Sequence, residues 1–456
     1  MSDPLLRRAA ELAEAFRARD PRTPVFPRIA VDELRRALGG PAPERGTAAE
    51  PVLEDLVRAA EPGIVWSTGP RYFGFVIGGS LPVTTAADWL TAIWDQNAGI
   101  YATSPAASVV EEVAAQWLLD FLRLPRNSSV GFVTGGGTAN FTCIAAARNH
   151  ILRQVGWDVE AQGLQGAPRI NVVLSEEAHV TILTALRMAG LGSTNAIRVR
   201  CDEQGRMIAS ELHKALQPLT RPVLVCAQAG NVNTGGFDPF TEVANAVHEH
   251  GGWVHVDGAF GLWARISPSL CPLTEGAELA DSWSVDGHKW LNVPYDCGVA
   301  ITAHPEAHMA AMGSSAAYIV AGQNQRDNFS FVPEFSRRAR GFTVYAALKH
   351  LGRSGLCELV ERCCARARHM AELLGRAANV TILNDVVLNQ VLVRFRQNDE
   401  FTRAVIARVQ QDGTCWLGGT TWHGMDAMRI SISNWSTTEA DIELSADAIL
   451  RAAQHS

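Results

Sequence analysis

A lysine at the end of an apolar stretch is the side chain in this sequence best placed for covalent chemistry. Lys289 follows the strand-like run 282–285, in the string Asp-Gly-His-Lys-Trp of residues 286–290. Burial of an ammonium group is costly unless the group is paired, neutralised or used covalently, and a desolvated lysine is suited to forming a Schiff base. Taken alone, Lys289 is equally well explained as a structural ion-pair partner or a phosphate ligand.

An acidic residue ends the preceding apolar run. Asp257 follows residues 253–256, and a carboxylate in that position needs a cationic partner or several hydrogen-bond donors. Opposite the protonated nitrogen of a pyridine ring, it would keep the ring positive and strengthen its pull on electrons. The alternative is an ordinary loop cap.

A glycine-rich turn predicts an anion site. Residues 131–140 pass from a strand through Gly135, Gly136 and Gly137 into the start of a helix. Glycines let backbone amides approach an anion, and the helix N-terminus adds its dipole. Tight strand-to-helix turns also use glycine, and the segment lacks both the Walker pattern and the dinucleotide spacing.

A histidine completes the set. His179 follows the strand-like run 170–174, where an imidazole could stack on a flat ring or move protons, or could simply cap a helix. An anion-binding turn, a ring-stacking imidazole, an acid for a ring nitrogen and a buried lysine fit one ligand together. That ligand is pyridoxal 5'-phosphate.

The elements that position these residues are short apolar runs alternating with helical segments. Runs of this kind indicate a doubly wound, mainly parallel sheet of seven strands, with ligands at the strand ends. The predicted strands are residues 130–133, 170–174, 196–199, 223–226, 253–256, 282–285 and 299–301. The predicted fold class is therefore α/β.

The 456 residues exceed one ordinary core, and we predict three units. Residues 1–66 form an N-terminal helical arm, 67–341 a large cofactor-binding domain, and 342–456 a small C-terminal α+β domain. In the last unit the patterns predict helices at 342–351, 359–374 and 437–452, and strands at 380–383, 391–395 and 428–432.

Composition limits the partners and the compartment. The net charge of −7 is small for this length, and basic residues are scattered, which argues against nucleic acid and anionic membranes. No run of eighteen apolar residues and no signal-peptide core is present. The nine cysteines are odd in number and lack metal-ligand spacing, which predicts a reducing cytoplasmic location and no metal site.

Several strings resemble the group II pyridoxal-dependent decarboxylases, the family that acts on aromatic amino acids, glutamate and histidine. The strings are residues 103–105, 135–138, 179, 236–239, 255–259 and 288–290. The resemblance covers about residue 67 to the C-terminal helix. It implies the fold-type I aminotransferase architecture and decarboxylation of an L-amino acid to the amine and carbon dioxide.

The resemblance also implies residue roles around the cofactor. Lys289 would hold it as a Schiff base, Asp257 would pair with the pyridine nitrogen, and Ala259 would lie against one ring face. His179 would stack on the other face and could relay protons. The phosphate would be bound by Gly136, Gly137, Thr138 and Ala139, helped by His288.

Three residues are expected on the substrate side. Arg429 matches an arginine that holds the substrate carboxylate in glutamate decarboxylases, although it could equally be a structural ion-pair partner. Tyr101 falls where aromatic decarboxylases place a pocket aromatic residue. Phe73 lies in the aromatic, glycine-interrupted segment 72–79, which slightly favours an aromatic or apolar substrate and could equally be core.

Two segments depart from the family pattern. Residues 230–234 read Gly-Asn-Val-Asn-Thr where the family often has threonines, so the side chain that contacts the ring oxygen is open. The mobile loop, residues 323–333, lacks the tyrosine that protonates the substrate carbon in amine-forming members. Related aldehyde synthases carry a phenylalanine there, and Phe329 keeps that alternative open.

Other outcomes share these residues. Oxygen capture after decarboxylation would give an aldehyde, ammonia and peroxide. Aminotransferases and β-elimination enzymes break a different bond on the same scaffold, and a pyridoxal-binding sensor or scaffold would catalyse nothing. We also expect a homodimer with shared active sites, because the N-terminal arm needs a surface to pack on and the family builds each site from two chains.

Overall fold

The N-terminal arm consists of three helices that bury little surface within the chain. The computed structural model describes residues 3–20, 22–313 and 325–454. The arm helices are α1 (Pro4–Arg17), α2 (Val31–Leu38) and α3 (Ala49–Ala60). Asp3 caps α1 by accepting from the Leu5 N–H at 2.9 Å, yet α1 and α2 have no buried residue and α3 has only Ala59. Several of their apolar side chains are exposed, namely those of Leu6, Val31, Leu38, Val52 and Leu56.

The large domain contains the predicted seven-stranded sheet. Its strands are β1 (Ser129–Val133), β2 (Asn171–Ser175), β3 (Ile197–Val199), β4 (Val223–Gln228), β5 (Trp253–Asp257), β6 (Ser282–Asp286) and β7 (Gly298–Thr302). The order is β1-β7-β6-β5-β4-β2-β3, and only β7 runs antiparallel to its neighbours. The mainly parallel α/β prediction is confirmed.

Helices flank this sheet, and the strands are apolar because both faces are covered. The helices are α4 (Pro82–Trp94), α5 (Pro105–Phe121), α6 (Gly136–Gln154), α7 (Val159–Gln162), α8 (Val180–Met188), α9 (Ala209–Leu216), α10 (Phe240–Glu249) and α11 (Pro305–Met312). Every residue of β4, β5 and β6 is buried. Trp253 and Trp283 are among the largest side chains in the core.

The C-terminal part contains a second, antiparallel sheet of order β10-β11-β9-β8. Its elements are α12 (Gly341–Gly375), β8 (Val380–Ile382), β9 (Gln390–Phe395), α13 (Asp399–Asp412), β10 (Gly418–Trp422), β11 (Met425–Ser431) and α14 (Glu439–Gln454). The two predicted helices after residue 342 are one element, α12, interrupted at Gly352, where φ is 59°. The sequence patterns missed α13 and β10.

The chain segment before α4 is hydrogen-bonded to the C-terminal part of the chain. Phe73 donates its N–H to the Trp416 carbonyl at 2.7 Å and accepts from the Ser431 N–H at 3.0 Å. The division at residue 67 stays a prediction. None of the described helices is both long and apolar enough to span a membrane.

Candidate active site

A cavity of about 250 Å³ lies at the carboxyl ends of the parallel strands. Adjacent parallel strands end at the same edge, so residues distant in sequence meet there. It is lined by Gly136, Gly137, His179, Thr181, Gln228, Gly230, Val232, Asp257, Ala259, Phe260, Asp286, His288 and Lys289. A surface groove of about 610 Å³ contains none of the predicted site residues. We place the site in the smaller cavity because buried charged groups converge there.

Lys289 directs its amine into this cavity. Its Nζ lies 2.9 Å from Asp286 Oδ2, and the lysine side chain is 20% exposed whereas the aspartate is 2% exposed. A Cβ atom on Gly78 would overlap the Lys289 carbonyl oxygen, so glycine is needed where segment 72–79 passes. The lysine is thus held at the cavity wall with an ion-pair partner that the sequence did not indicate.

Asp257 presents a carboxylate supported only by neutral groups. Its Oδ2 accepts from Asn140 Nδ2 at 3.2 Å, and its Oδ1 accepts from Ser284 Oγ and the Ala259 N–H, each at 3.3 Å. The side chain is buried, and within the described residues no lysine or arginine pairs with it. A carboxylate without a cation suits the protonated nitrogen of a pyridine ring.

A directional hydrogen-bond chain lies behind Asp257. An ionised carboxylate only accepts, so Asn140 must turn its amide N–H towards Asp257 and its Oδ1 towards His255 Nε2, 3.0 Å away. Burial lowers the pKa of His255 to about 4, so the ring is neutral and carries its proton on Nε2. His255 Nδ1 then accepts from Ser282 Oγ at 3.0 Å, and Ser282 accepts from Trp253 Nε1 at 2.9 Å.

His179 both caps α8 and lines the cavity. Its Nδ1 lies 2.8 Å from Thr181 Oγ1 and accepts from the Thr181 N–H at 3.4 Å. Burial lowers the pKa of His179, so the ring is neutral with its proton on Nε2. Asn140 Nδ2 also reaches Thr181 Oγ1, at 3.3 Å. The two functions that the sequence offered as alternatives, helix cap and cavity residue, therefore coexist.

The glycine-rich turn offers free backbone donors. Helix α6 begins at Gly136, and within the described part of the chain the N–H groups of Gly136, Gly137 and Thr138 have no partner. The Ala139 N–H bonds to the Gly135 carbonyl at 2.9 Å, so its predicted role as a phosphate donor gains no support. The Thr138 hydroxyl lies 2.8 Å from Thr134 Oγ1.

His288 closes the same end of the cavity. Its Nδ1 accepts from the Cys297 N–H at 3.2 Å, and its ring stacks on Tyr295 with centroids 4.4 Å apart. Burial lowers the pKa of His288. Sequence reasoning assigned no role to Tyr295 or Asp286, because neither residue type is diagnostic at those positions.

Arg429 is a partly buried cation without an anion. It lies on β11, and burial lowers its pKa. Its side chain makes one hydrogen bond, to Asn233 Oδ1 at 3.4 Å, and forms no ion pair with any described carboxylate. It lies close enough to His179 to act on that ring electrostatically. The structural ion pair considered from the sequence is therefore not observed among the described residues.

None of the three predicted substrate residues, Phe73, Tyr101 and Arg429, is among the residues that line this cavity. Phe73 is fully buried in the main core, which is the core-packing alternative that the sequence left open. Tyr101 lies outside the cavity wall, and its backbone N–H donates to Asp327 Oδ1 at 2.9 Å. A single copy of the protein therefore brings neither the Phe73 nor the Tyr101 side chain to the cavity at Lys289.

The predicted mobile loop is only partly covered, because Gln323 and Asn324 lie outside the described residues. Phe329 is 5% exposed and packs against Phe335 with centroids 4.8 Å apart. Arg326 anchors the segment by donating to the Val130 carbonyl. In this conformation Phe329 is part of the core and does not face the cavity.

The residues present fit pyridoxal phosphate. The cavity has an amine at Lys289, an unpaired carboxylate at Asp257, and free N–H groups in a turn whose close packing excludes a larger residue. A Cβ atom on Gly136 would lie 2.9 Å from Asp286 Oδ2, and one on Gly135 would lie 3.0 Å from His288 Cε1. These features belong to the fold-type I class of pyridoxal phosphate enzymes.

The family follows from comparison with known proteins. The model of the pyridoxal-dependent decarboxylase conserved domain matches residues 32–397. The chain therefore belongs to the pyridoxal-dependent decarboxylase family, and its cofactor is pyridoxal phosphate. The resemblance drawn from the sequence strings is confirmed.

Relatives include enzymes with two kinds of product. The chain is 26% identical over 442 residues to 4-hydroxyphenylacetaldehyde synthase from Rhodiola rosea, covering 92% of this chain and 88% of that protein. It is 26% identical over 438 residues to aromatic-L-amino-acid decarboxylase from Bacillus atrophaeus, covering 92% and 89%. The structure of Oryza sativa TDC with PLP and tryptamine superposes with a TM-score of 0.92 at 22% identity, covering 100% of this chain and 99% of that one.

Proposed function

We propose that this enzyme removes the α-carboxylate of an L-amino acid and returns a proton to the same carbon, which gives the amine. The observation that carries the proposal is the pairing, in one cavity, of the Lys289 amine with an Asp257 carboxylate that only neutral donors support. The cofactor, when bound, supplies the electron sink for the electrons released as carbon dioxide leaves.

Lys289 and Asp257 hold the two reactive ends of the cofactor. Lys289 is the covalent anchor, and Asp257 keeps a proton on the ring nitrogen. The hydrogen bonds that run from Trp253 to Asn140 fix Asp257, because the carboxylate cannot turn without breaking its bond to Asn140. A fixed carboxylate avoids reorganisation as charge develops on the ring.

His179 is the proposed proton carrier. Thr181 occupies Nδ1, so Nε2–H is the end that can face a ligand. Because burial lowers its pKa, the ring is neutral near neutral pH, and the Nε2–H is the proton that it can donate to a ligand.

Arg429 is the proposed anchor for a carboxylate of the substrate. A partly buried guanidinium without a counter-ion gains from a ligand that supplies one, and its planar donors match a carboxylate. An acidic substrate could place its side-chain carboxylate there, and an aromatic one could use only its α-carboxylate.

We further propose a homodimer in which the site is shared. The side chains of Trp89, Ile93 and Trp94 on α4 are 45%, 56% and 48% exposed, and the arm adds further exposed apolar residues. A surface of this kind favours a second copy of the chain. Tyr101, which does not line the cavity of its own chain, could then contribute to its partner's site. Sedimentation of wild type and Ile93→Glu tests this: an active wild-type monomer would contradict it.

The second candidate outcome is the aldehyde. It is favoured by the presence of Phe329 and the absence of tyrosine in residues 325–333, and by the similarity to the Rhodiola rosea enzyme. Tyr318, the nearest preceding tyrosine in the sequence, lies outside the described residues. Oxygen uptake and peroxide release during turnover would identify this outcome.

The deciding experiment is product analysis of the holoenzyme with each standard amino acid. The proposal expects carbon dioxide and the matching amine in equal amounts, without oxygen uptake. Oxo acids formed without carbon dioxide would indicate transamination or elimination. If no amino acid is turned over, the result would indicate a protein that binds the cofactor without catalysing a reaction. The nine cysteines are all free, which supports a reducing compartment, and we propose the cytoplasm.

A further inference from the structure

Asp286, the last residue of β6, brings a carboxylate to the anion-binding turn. It is 2% exposed, and its Oδ2 pairs with Lys289 Nζ. A Cβ atom on Gly136 would lie 2.9 Å from Asp286 Oδ2, and one on Gly135 would lie 3.7 Å from Oδ1. The carboxylate therefore borders the turn whose free N–H groups are available to a phosphate.

The second oxygen of this carboxylate lacks a donor. Within the described residues Asp286 Oδ1 has no hydrogen bond, and His288 Nε2 is 3.5 Å away. A buried acceptor without a donor is costly. A fully ionised phosphate has acceptor oxygens only and cannot satisfy Asp286, whereas a singly charged phosphate keeps one O–H.

We propose that Asp286 makes this enzyme select the singly charged form of the cofactor's phosphate. The remaining phosphate O–H donates to Asp286 Oδ1, and the N–H groups of Gly136 and Gly137 donate to the other phosphate oxygens. Phosphate monoesters lose their second proton at a pH of about 6. Cofactor affinity should therefore fall as the pH rises above that value.

The groups around Asp286 do not produce this pH dependence themselves. The titratable groups that face it are Lys289, His288, His179, Tyr295 and Cys297. Burial lowers the pKa of both histidines and raises that of Tyr295 and of Cys297 to about 12. Both histidines therefore lose their proton at a lower pH than an ordinary imidazole, and Tyr295 and Cys297 stay neutral up to pH 8.5. Lys289 forms the same bond with pyridoxal as with pyridoxal phosphate. The contribution of Lys289 to the pH dependence therefore cancels in the ratio of the two dissociation constants.

The test compares the dissociation constants of pyridoxal phosphate and pyridoxal for the apoenzyme between pH 6.5 and 8.5. If only the singly charged phosphate binds, the ratio of the two constants rises on the order of 75-fold in wild type, from the decline of that form above pH 6. Asp286→Asn places an amide N–H donor where the carboxylate oxygen was. In this variant the ratio of the two dissociation constants should therefore change less than about threefold between pH 6.5 and 8.5. The control, Asp257→Asn, makes the same change of a buried carboxylate to an amide at the ring end of the site. In this control the ratio of the two dissociation constants should rise with pH as it does in wild type.

The substitution Asp286→Asn leaves Lys289 without its ion-pair partner, so this variant could fail to fold. A second measurement, on wild type alone, covers that case. The phosphorus NMR shift of the wild-type holoenzyme reports the ionisation of the bound phosphate directly. The proposal expects the shift of the singly charged form to persist at pH 8. A fully ionised shift at that pH, or a wild-type ratio that is independent of pH, would overturn it.

Discussion

Asn140→Asp is the most informative single change behind the site. It keeps the side-chain shape but replaces the N–H that Asp257 Oδ2 accepts, at 3.2 Å, with a second carboxylate oxygen. Loss of a hydrogen bond to a charged group costs about 1.5–3 kcal/mol. Two charges at this distance would repel by about 5 kcal/mol at an effective dielectric constant of 20.

The pair avoids full repulsion by keeping one proton between the two carboxylates. The folded variant then binds a proton that the unfolded chain has released above a pH of about 4. Its stability relative to wild type should therefore fall as the pH rises, by up to about 1.4 kcal/mol per unit. We expect a loss of about 3–5 kcal/mol at pH 8 and a much smaller loss at pH 5.

The assay is urea unfolding of the apoenzyme at pH 5 to 8, at fixed protein concentration, for Asn140→Asp, Asp257→Asn and the double variant. The double variant exchanges the two groups, so the amide at position 257 can again donate to the carboxylate at 140. It should recover most of the stability lost in Asn140→Asp while still failing to support the ring nitrogen. The inferred direction of the hydrogen-bond chain would be refuted by either of two results. One is that the stability losses of the single variants add up in the double variant, and the other is that the stability loss of Asn140→Asp is independent of pH.

Four other variants test the remaining assignments. Lys289→Ala should abolish borohydride labelling by the cofactor and turnover together, and labelling that persisted would place the anchor elsewhere. His179→Phe keeps a flat ring without a proton, so cofactor affinity should change little while kcat falls by about 10²–10⁴; an unchanged kcat would exclude His179 as the proton carrier. Arg429→Met should raise KM at least about tenfold without loss of folding stability, because a partly buried cation without an ion-pair partner is removed; a stability loss with unchanged KM would make Arg429 structural. Phe329→Tyr should suppress any peroxide formed by wild type, and equal peroxide would show that this position does not decide the product.

The sequence predicted the site where topology alone brings residues together. Lys289, Asp257 and His179 each follow a strand of a parallel sheet, and such strands end at one edge whatever the details of packing. Hydrophobic patterning was enough to find those strands, because strands covered on both faces are largely apolar.

The residues that the sequence missed act through partners far away along the chain. Asn140 contacts Asp257 across 117 positions and His255 across 115, and an asparagine in a helix carries no sign of either partner. Phe73 shows the opposite limit: a phenylalanine beside glycines looks the same whether it lines a pocket or, as here, the core. Residue type gives the chemistry, whereas the choice of face depends on packing.

The two buried carboxylates at the ends of β5 and β6 make different demands on one ligand. Asp257 is already satisfied by neutral donors and can attract a positive ring nitrogen without losing a partner. Asp286 is satisfied on one oxygen only, and its partner is the same lysine that must bind the cofactor. Attachment of the cofactor therefore disturbs the ion pair between Lys289 and Asp286 but leaves the hydrogen bonds that support Asp257 intact. Because the proposed titrating group is the phosphate O–H that faces Asp286, the phosphate end, and not the ring end, should dominate the pH dependence of cofactor loading.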